Sequence, residues 1–169
     1  MGIRRFVVAL LGLGLFVAAA LAAPPAGRGP STPEERNQVL TLVELLETKP
    51  WTKEAEDARA WLLAFLMEVP DITVELCIRP LGSDKELKGV PPELQIQQAF
   101  SQASFLIRNP DQKAASLAVY VAGVQGAIRA YDSMKAAGKV DALPAFEDLK
   151  KLEASGELEK AIKKRIKQC

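Results

Sequence analysis

Residues 111–137 read DQKAASLAVYVAGVQGAIRAYDSMKAA, and this segment determines the class of fold. Between residues 114 and 128 the only polar side chains are Ser116, Tyr120 and Gln125, so a helix here is apolar on nearly every side. Such a helix must be covered by others, which predicts that it lies at the centre of the domain. It is too short, and too closely flanked by charged residues, to be a membrane span.

Two rows of residues on this predicted helix differ in size. A row of small residues lets another helix approach closely, and it comprises Ala118, Ala122, Gly126 and Ala130. A bulky row lies beside it, comprising Leu117, Val121, Val124, Ile128 and Tyr131. Tyr120 and Gln125 need hydrogen-bond partners if they are buried, and we expect those partners to be backbone groups or water.

Further helices are predicted on both sides of the central one. Ser31 and Thr32 offer capping hydroxyls for one helix and Thr52 caps another, Pro33 suits a first helical turn, and Lys49-Pro50 and Pro70 end helices. The first helix is predicted to begin within residues 31–35 and to end at Lys49-Pro50, and the other predicted ranges are 52–68, 92–108, 144–152 and 156–167. The sequence therefore predicts an all-α domain, orthogonal or bundle-like, with five to seven helices around the apolar helix at about 111–137.

The predicted helix at 92–108 has an apolar side and an uncharged polar side. The apolar side carries Leu94, Ala99, Phe100, Ala103, Leu106 and Ile107. The polar side carries Gln95, Gln97, Gln98, Ser101, Gln102 and Ser104. Because polar helix faces are usually solvated, we expect the glutamines and serines to lie on the surface.

The segment 72–78 alternates apolar and polar residues, as a half-buried strand does. A single strand would leave its backbone groups unpaired, and the chain has no second β-rich segment. We therefore favour a short helix that is capped by Asp71, with the strand as the alternative. Residues 80–92 are predicted to form a loop because of their Gly and Pro signals.

The N-terminus has the order of a secretory signal peptide. A basic start with Arg4 and Arg5 precedes residues 6–23, which lack charged side chains, and Ala20-Leu21-Ala22 offers a cleavage site. The predicted organisation is a signal peptide at 1–22, a flexible Pro/Gly linker at 23–32 and a single helical domain at 33–169. An uncleaved membrane anchor is the alternative, although no lasting membrane span is expected after cleavage.

Composition limits the partners. Cleavage removes two of the 22 lysines and arginines, Arg4 and Arg5, which leaves 20 basic residues against 21 acids and a net charge of −1. A near-neutral chain argues against nucleic acid as a partner. The five basic residues near the C-terminus are Lys160, Lys163, Lys164, Arg165 and Lys167; they are candidates for an anionic partner, but a solvated helix end explains them better.

Two cysteines, Cys77 and Cys169, remain after the predicted cleavage. An even number of cysteines in an exported protein favours a disulfide, and free thiols are the alternative. A bridge between them would stabilise the fold by roughly 4 to 5 kcal/mol through loop closure.

The chain has no histidine, which excludes histidine-based triads and metal sites. Glu68, Asp71 and Glu75 lie near Pro70 and are the candidate acids for a carboxylate-dependent hydrolase, but a capping Asp71 with two solvated glutamates explains them better. Trp51 and Trp61 are more typical of core or hinge positions than of ligand stacking. We expect no catalytic, cofactor or metal site.

The pentapeptide Tyr120-Val121-Ala122-Gly123-Val124, together with Cys169, resembles small helical, disulfide-bonded periplasmic immunity proteins, which neutralise secreted bacterial effectors. Those proteins usually carry more than two cysteines. No residue role is carried over from this resemblance, and no family is identified.

The function expected from these features is that of an exported, non-enzymatic binding protein of a bacterial-type cell envelope, located in the periplasm or secreted. The expected partner is an envelope protein or polymer. The alternatives are a small carboxylate-dependent envelope hydrolase and a periplasmic protein that resembles immunity proteins or stress chaperones. The sequence does not determine the oligomeric state.

Overall fold

The computed structural model describes residues 27–169, so the predicted signal peptide at 1–22 lies outside the described residues. Within the described range the fold is all-α, as predicted, with six α-helices and no strand. The helices are α1 (Pro33–Thr48), α2 (Lys53–Glu68), α3 (Pro92–Arg108), α4 (Leu117–Ala136), α5 (Pro144–Ala154) and α6 (Leu158–Arg165); a 3₁₀ turn follows at Ile166–Gln168. No helix among residues 27–169 is both long and apolar enough to cross a membrane.

Helices α1 and α2 begin where the capping residues predicted. The hydroxyl of Thr32 accepts a hydrogen bond from the Glu35 amide, and the Glu35 carboxylate accepts one from the Thr32 amide, which completes a capping box. Thr52 caps α2 by accepting a hydrogen bond from the Ala55 amide. The short connection at 49–52 makes the two helices neighbours.

Helix α4 occupies the centre of the fold, as its apolar sequence predicted, and it contacts α1, α3, α5 and α6. It begins at Leu117, later than the predicted residue 111, because the hydroxyl of Ser116 caps it by accepting a hydrogen bond from the Val119 amide. The predicted row of small residues is only partly correct. Gly126 and Ala130 are buried, whereas Ala118 is exposed, and Gly123, which the row did not include, also packs closely on α3.

Two apolar clusters form the core, and α3 contributes to both. The first cluster includes Val39, Val43 and Leu46 of α1, Leu62 and Phe65 of α2, and Phe100 of α3. The second joins α4, α5 and α6 around Val124, Tyr131, Phe146, Leu149 and Ile162, and it includes Leu94 of α3. The loop between α2 and α3 adds Leu81, Leu87 and Val90 to the second cluster.

The segment 72–78 is extended and irregular, so the predicted short helix capped by Asp71 is wrong. It is not a strand of a sheet either, because its main chain is bonded to side chains of α3. Asp71 instead accepts hydrogen bonds from the amide and hydroxyl of Ser31 and from the guanidinium of Arg36. These bonds attach the chain just before α1 to the start of the extended segment.

Cys77 and Cys169 form a disulfide, which confirms the pairing expected from the sequence. Their Cα atoms are 5.7 Å apart, although 92 positions separate them in the sequence. The bridge therefore attaches the chain after α6 to the extended segment. Arg165 adds a second attachment nearby, because its guanidinium donates to the carbonyl oxygen of Pro80.

Candidate functional site

The polar side of α3 is buried, so its predicted exposure to solvent is wrong. Five of its side chains are buried between helices: Gln97, Gln98, Ser101, Gln102 and Ser104. We refer to these five residues as the polar seam. Gln95, the remaining predicted member, is partly exposed and donates to the carbonyl oxygen of Val90.

The polar seam is buried because α4 approaches it without side chains at two positions. A Cβ atom on Gly126 would lie 1.8 Å from the hydroxyl oxygen of Ser101, and one on Gly123 would lie 2.8 Å from the carbonyl oxygen of Gln98. Both distances are far shorter than van der Waals contact. Glycine is therefore required at both positions for the observed spacing of α3 and α4.

Glu47 of α1 connects the polar seam to α4. Its carboxylate is 14% exposed and accepts hydrogen bonds from Ser101 Oγ at 2.8 Å and from the Arg129 guanidinium at 2.6 and 2.8 Å. The Glu47 carbonyl oxygen accepts a further bond from Ser133 Oγ at 2.7 Å. This network joins α1, α3 and α4, and sequence reasoning missed it because Glu47 carries no motif and its partners are 54 or more positions away.

A cleft of about 400 Å³ opens beside this network. Its polar lining includes Glu47, Arg108, Gln125 and Arg129, and its apolar lining includes Phe105 and Val121. Arg129 is already paired with Glu47, and Arg108 donates to Ser104 Oγ. The cleft is thus bordered by side chains that serve the helix packing.

Two glutamines of the polar seam hold the extended segment. Gln102 Oε1 accepts a hydrogen bond from the Glu75 amide at 2.9 Å, and Gln98 Nε2 donates to the Cys77 carbonyl oxygen at 2.6 Å. In the described structure the other polar atoms of these two side chains, Gln98 Oε1 and Gln102 Nε2, are buried without a partner. Each glutamine is therefore bonded at one end only, and that end fixes the extended segment.

Large apolar side chains are exposed where α2 meets the extended segment. Leu63 is 41% exposed, Met67 85% and Leu76 69%. Two depressions, of about 200 and 230 Å³, share Leu76, Ile96 and Ala99 in their linings. We refer to the surface formed by Leu63, Met67, Val74, Leu76 and Ile96 as the apolar edge. No Asp, Glu, Lys or Arg lines either depression.

The three candidate acids do not form a hydrogen-bonded acid pair in the described structure. Burial alone would raise the pKa of Asp71, but its hydrogen bonds from Ser31 and Arg36 outweigh burial and place that pKa below its usual range. Glu68 lies 3.9 Å from Arg28, and Glu75 is bonded to Gln102 through its amide. A general acid needs a raised pKa, which is the opposite of what Asp71 has.

Tyr120 and Gln125, the polar residues of α4, have different surroundings. Tyr120 is buried, and burial together with the nearby charge of Glu75 raises the pKa of its phenol. Gln125 Nε2 donates to the Glu153 carboxylate at 3.0 Å, so the expectation of backbone or water partners is wrong for Gln125.

Two of the five C-terminal basic residues have partners within the described domain. Arg165 donates a hydrogen bond to the carbonyl oxygen of Pro80, and Lys160 lies 3.8 Å from Glu157.

Trp61 stacks on Phe65 within α2, while Trp51 lies at the surface between α1 and α2. These positions are consistent with the structural explanations expected from the sequence.

Residues 27–169 contain no group of three or more Cys, Asp or Glu side chains placed to hold a metal ion. Comparisons with models of protein families, with curated proteins and with solved structures found no match.

Proposed function

We propose that the chain is an exported, non-enzymatic binding protein of a bacterial-type cell envelope, and that another protein binds to its apolar edge. The observation that carries the proposal is the exposure of Leu63, Met67 and Leu76 together, beside two uncharged depressions. Exposed apolar surface of this kind is typical of protein interaction sites.

Export is supported by the signal-peptide order of residues 1–22 and by the Cys77–Cys169 disulfide, because disulfides persist in oxidising compartments. A disulfide and the absence of a spanning helix among residues 27–169 are compatible with an exported protein. The intact mass of the protein recovered outside the cytoplasm tests this part. A mass that begins near Ala23 supports export, whereas a full-length mass with freely alkylating thiols contradicts it.

A binding role is favoured over hydrolysis by the state of the carboxylates. Four described carboxylates have shifted pKa values, and all four are shifted downward: Glu54, Asp71, Glu86 and Glu147. Each accepts hydrogen bonds that favour the ionised form. A carboxylate-dependent hydrolase needs one acid whose pKa is raised, so these groups suit structural roles.

Site-specific photo-crosslinking in the producing cell tests the binding role. A photoreactive amino acid placed at Leu76 or Met67 should give one discrete adduct with another protein, whereas the same group at exposed Glu44 or Lys151 should give none. The captured protein, once purified, should bind the chain at least ten times more weakly after Leu76→Asp, with Glu44→Gln as the matched control. Equal adducts at all four positions, or none, would contradict the proposal.

A further inference from the structure

We infer that the partner binds the apolar edge as an added β-strand, which pairs with the main chain of residues 73–77. This inference rests on the proposed binding function and specifies its mode. The expected ligand is an extended segment of another protein, with uncharged apolar side chains at alternate positions.

Two main-chain groups of residues 73–77 are hydrogen-bonded among the described residues, and both bonds go to side chains of α3. Successive residues of an extended chain direct their N–H and C=O groups to opposite edges. The Glu75 amide and the Cys77 carbonyl are bonded to Gln102 and Gln98, so the edge of residues 75 and 77 faces α3. The main-chain groups of Val74 and Leu76, on the other edge, make no hydrogen bond to any described residue.

Unpaired N–H and C=O groups in a row are the template that a further strand recognises, as in other complexes formed by strand addition. A groove that bound a helix would use side chains alone and would leave the main chain of Val74 and Leu76 without protein partners. The arrangement of donors and acceptors therefore favours an extended ligand over a helical one.

The side-chain surface matches the same ligand. Leu76 lies between the two depressions, and both are lined by uncharged residues. In a paired strand, residues two positions apart lie about 6.5 Å from each other and point to the same face. Alternate side chains of the added strand would thus pack beside Val74 and Leu76, and charged side chains there would lose solvation without finding a partner.

The extended segment is also held in place before any ligand arrives. Gln98, Gln102 and the disulfide at Cys77 fix it at three points. A binding surface that is already ordered loses less conformational entropy when it binds. This arrangement suits recognition by the main chain, which needs donors and acceptors at fixed spacing.

A second copy of the chain is a less suitable occupant. In a symmetric antiparallel pair of two copies, Val74 of one copy lies opposite Leu76 of the other. Glu75 then lies directly opposite Glu75 of the other copy, and their Cα atoms are about 4.5 Å apart. Like charges at that position destabilise a strand pair. A different protein that lacks an acid at this position avoids the repulsion.

The test is selection of peptides from a displayed library of random twelve-residue sequences on the disulfide-bonded protein. Enriched peptides should carry apolar residues at alternate positions, and a synthetic one should bind at least ten times more weakly to the Leu76→Asp variant than to Glu44→Gln. Versions of this peptide, each with one N-methyl group at a different backbone amide, should then be compared. Methylation at every second amide should weaken binding at least 30-fold, and methylation at the amides between those should weaken it less than threefold. Bound peptide should slow hydrogen exchange of the Val74 and Leu76 amides at least tenfold.

Three outcomes overturn the inference in different ways. Peptides that depend on Leu76 but show no alternation on N-methylation would refute strand addition and leave the binding role intact. A failure of both the peptide selection and the photo-crosslinking would refute the binding role itself. A concentration-dependent dimer that is abolished by Leu76→Asp would identify a second copy as the occupant.

Discussion

The polar seam and the apolar edge reverse the usual distribution of side chains. The seam buries three glutamines and two serines between helices, whereas the edge exposes two leucines and a methionine. The seam can be polar inside because Gly123 and Gly126 bring α4 close enough for Glu47 to reach Ser101 and Arg129. The difference shows that burial in this fold follows backbone proximity and hydrogen bonding as well as side-chain hydropathy.

The two regions are also connected. Gln98 and Gln102 belong to the seam, yet the bonded end of each side chain holds the extended segment that borders the edge. Their other polar ends have no partner among the described residues. A change in the seam should therefore alter the geometry of the edge.

The largest expected effect follows loss of the disulfide, which anchors the extended segment. Replacing both cysteines with serine (Cys77→Ser with Cys169→Ser) should lower the free energy of unfolding by about 4 to 5 kcal/mol, because the unfolded chain regains the entropy of a long loop. Urea unfolding measures this change. The reduced wild-type protein is the control and should unfold at the same urea concentration; a loss below about 1 kcal/mol would contradict the entropic account.

Adding one methyl group to the seam should have the next largest effect. Gly126→Ala places a Cβ atom where Ser101 already lies, so α3 and α4 must separate, and the free energy of unfolding should fall by about 2 to 3 kcal/mol. Gly29→Ala, where nothing lies within 4 Å, is the matched control. Combining Gly126→Ala with Ser101→Gly should recover part of the loss, and no recovery would contradict the steric explanation.

Removing the acid that connects the seam to α4 should have a smaller effect. Glu47→Ala leaves Ser101 and Arg129 without their acceptor, so the free energy of unfolding should fall by about 1 to 2 kcal/mol. Glu44→Ala, at an exposed position of the same helix, should change stability by less than about 0.5 kcal/mol. Equal effects of the two variants would show that the network contributes little.

The smallest effect concerns Asp71 at the start of the extended segment, and it depends on pH. Hydrogen bonds from Ser31 and Arg36 lower the pKa of Asp71 despite its partial desolvation, so the stabilisation is present above its usual value of 3.8 and is lost as pH falls below it. Asp71→Asn should therefore be less stable than wild type at pH 6, and the difference should shrink as pH falls below 3.8. Urea unfolding midpoints across this range measure the difference; a difference that is independent of pH would contradict the assignment.

Glu147 provides an internal reference for the same titration, because it lies on α5, away from both regions. Bonds from Lys135 and then Tyr131 lower the pKa of Glu147 to about 2. Its contribution to stability is present above its usual value of 4.5 and is lost towards pH 2 in wild type and in Asp71→Asn alike. The contribution of Glu147 to stability is therefore the same in both proteins and does not affect the difference between them.

Local signals in the sequence predicted much of the fold. Thr32 and Thr52 start helices through bonds to amides three positions away, and such contacts can be read from a few neighbouring residues. The apolar sequence of α4 predicted its central place. With only Cys77 and Cys169 in the chain, a single intramolecular pairing was available.

The candidate site could not be predicted in the same way because its contacts are distant in sequence. The main chain of residues 75 and 77 is bonded to side chains that lie 27 and 21 positions later, so alternation alone could not show what held it. The glutamines and serines of α3 were expected at the surface because only the position of α4 shows that Gly123 and Gly126 cover them. The exposure of Met67 and Leu76 likewise depends on where the chain turns after α2.

The Cys77–Cys169 bridge also sets an order of events during biosynthesis. Because 92 positions separate the two residues, ribosomes that add about 5 to 20 residues per second need roughly 5 to 18 s to make the second cysteine after the first. Throughout that interval Cys77 is a thiol without its partner, while α3, α4, α5 and α6 are being made. Helix packing can therefore begin before oxidation, and the bond then closes between two cysteines that the helices have started to bring together.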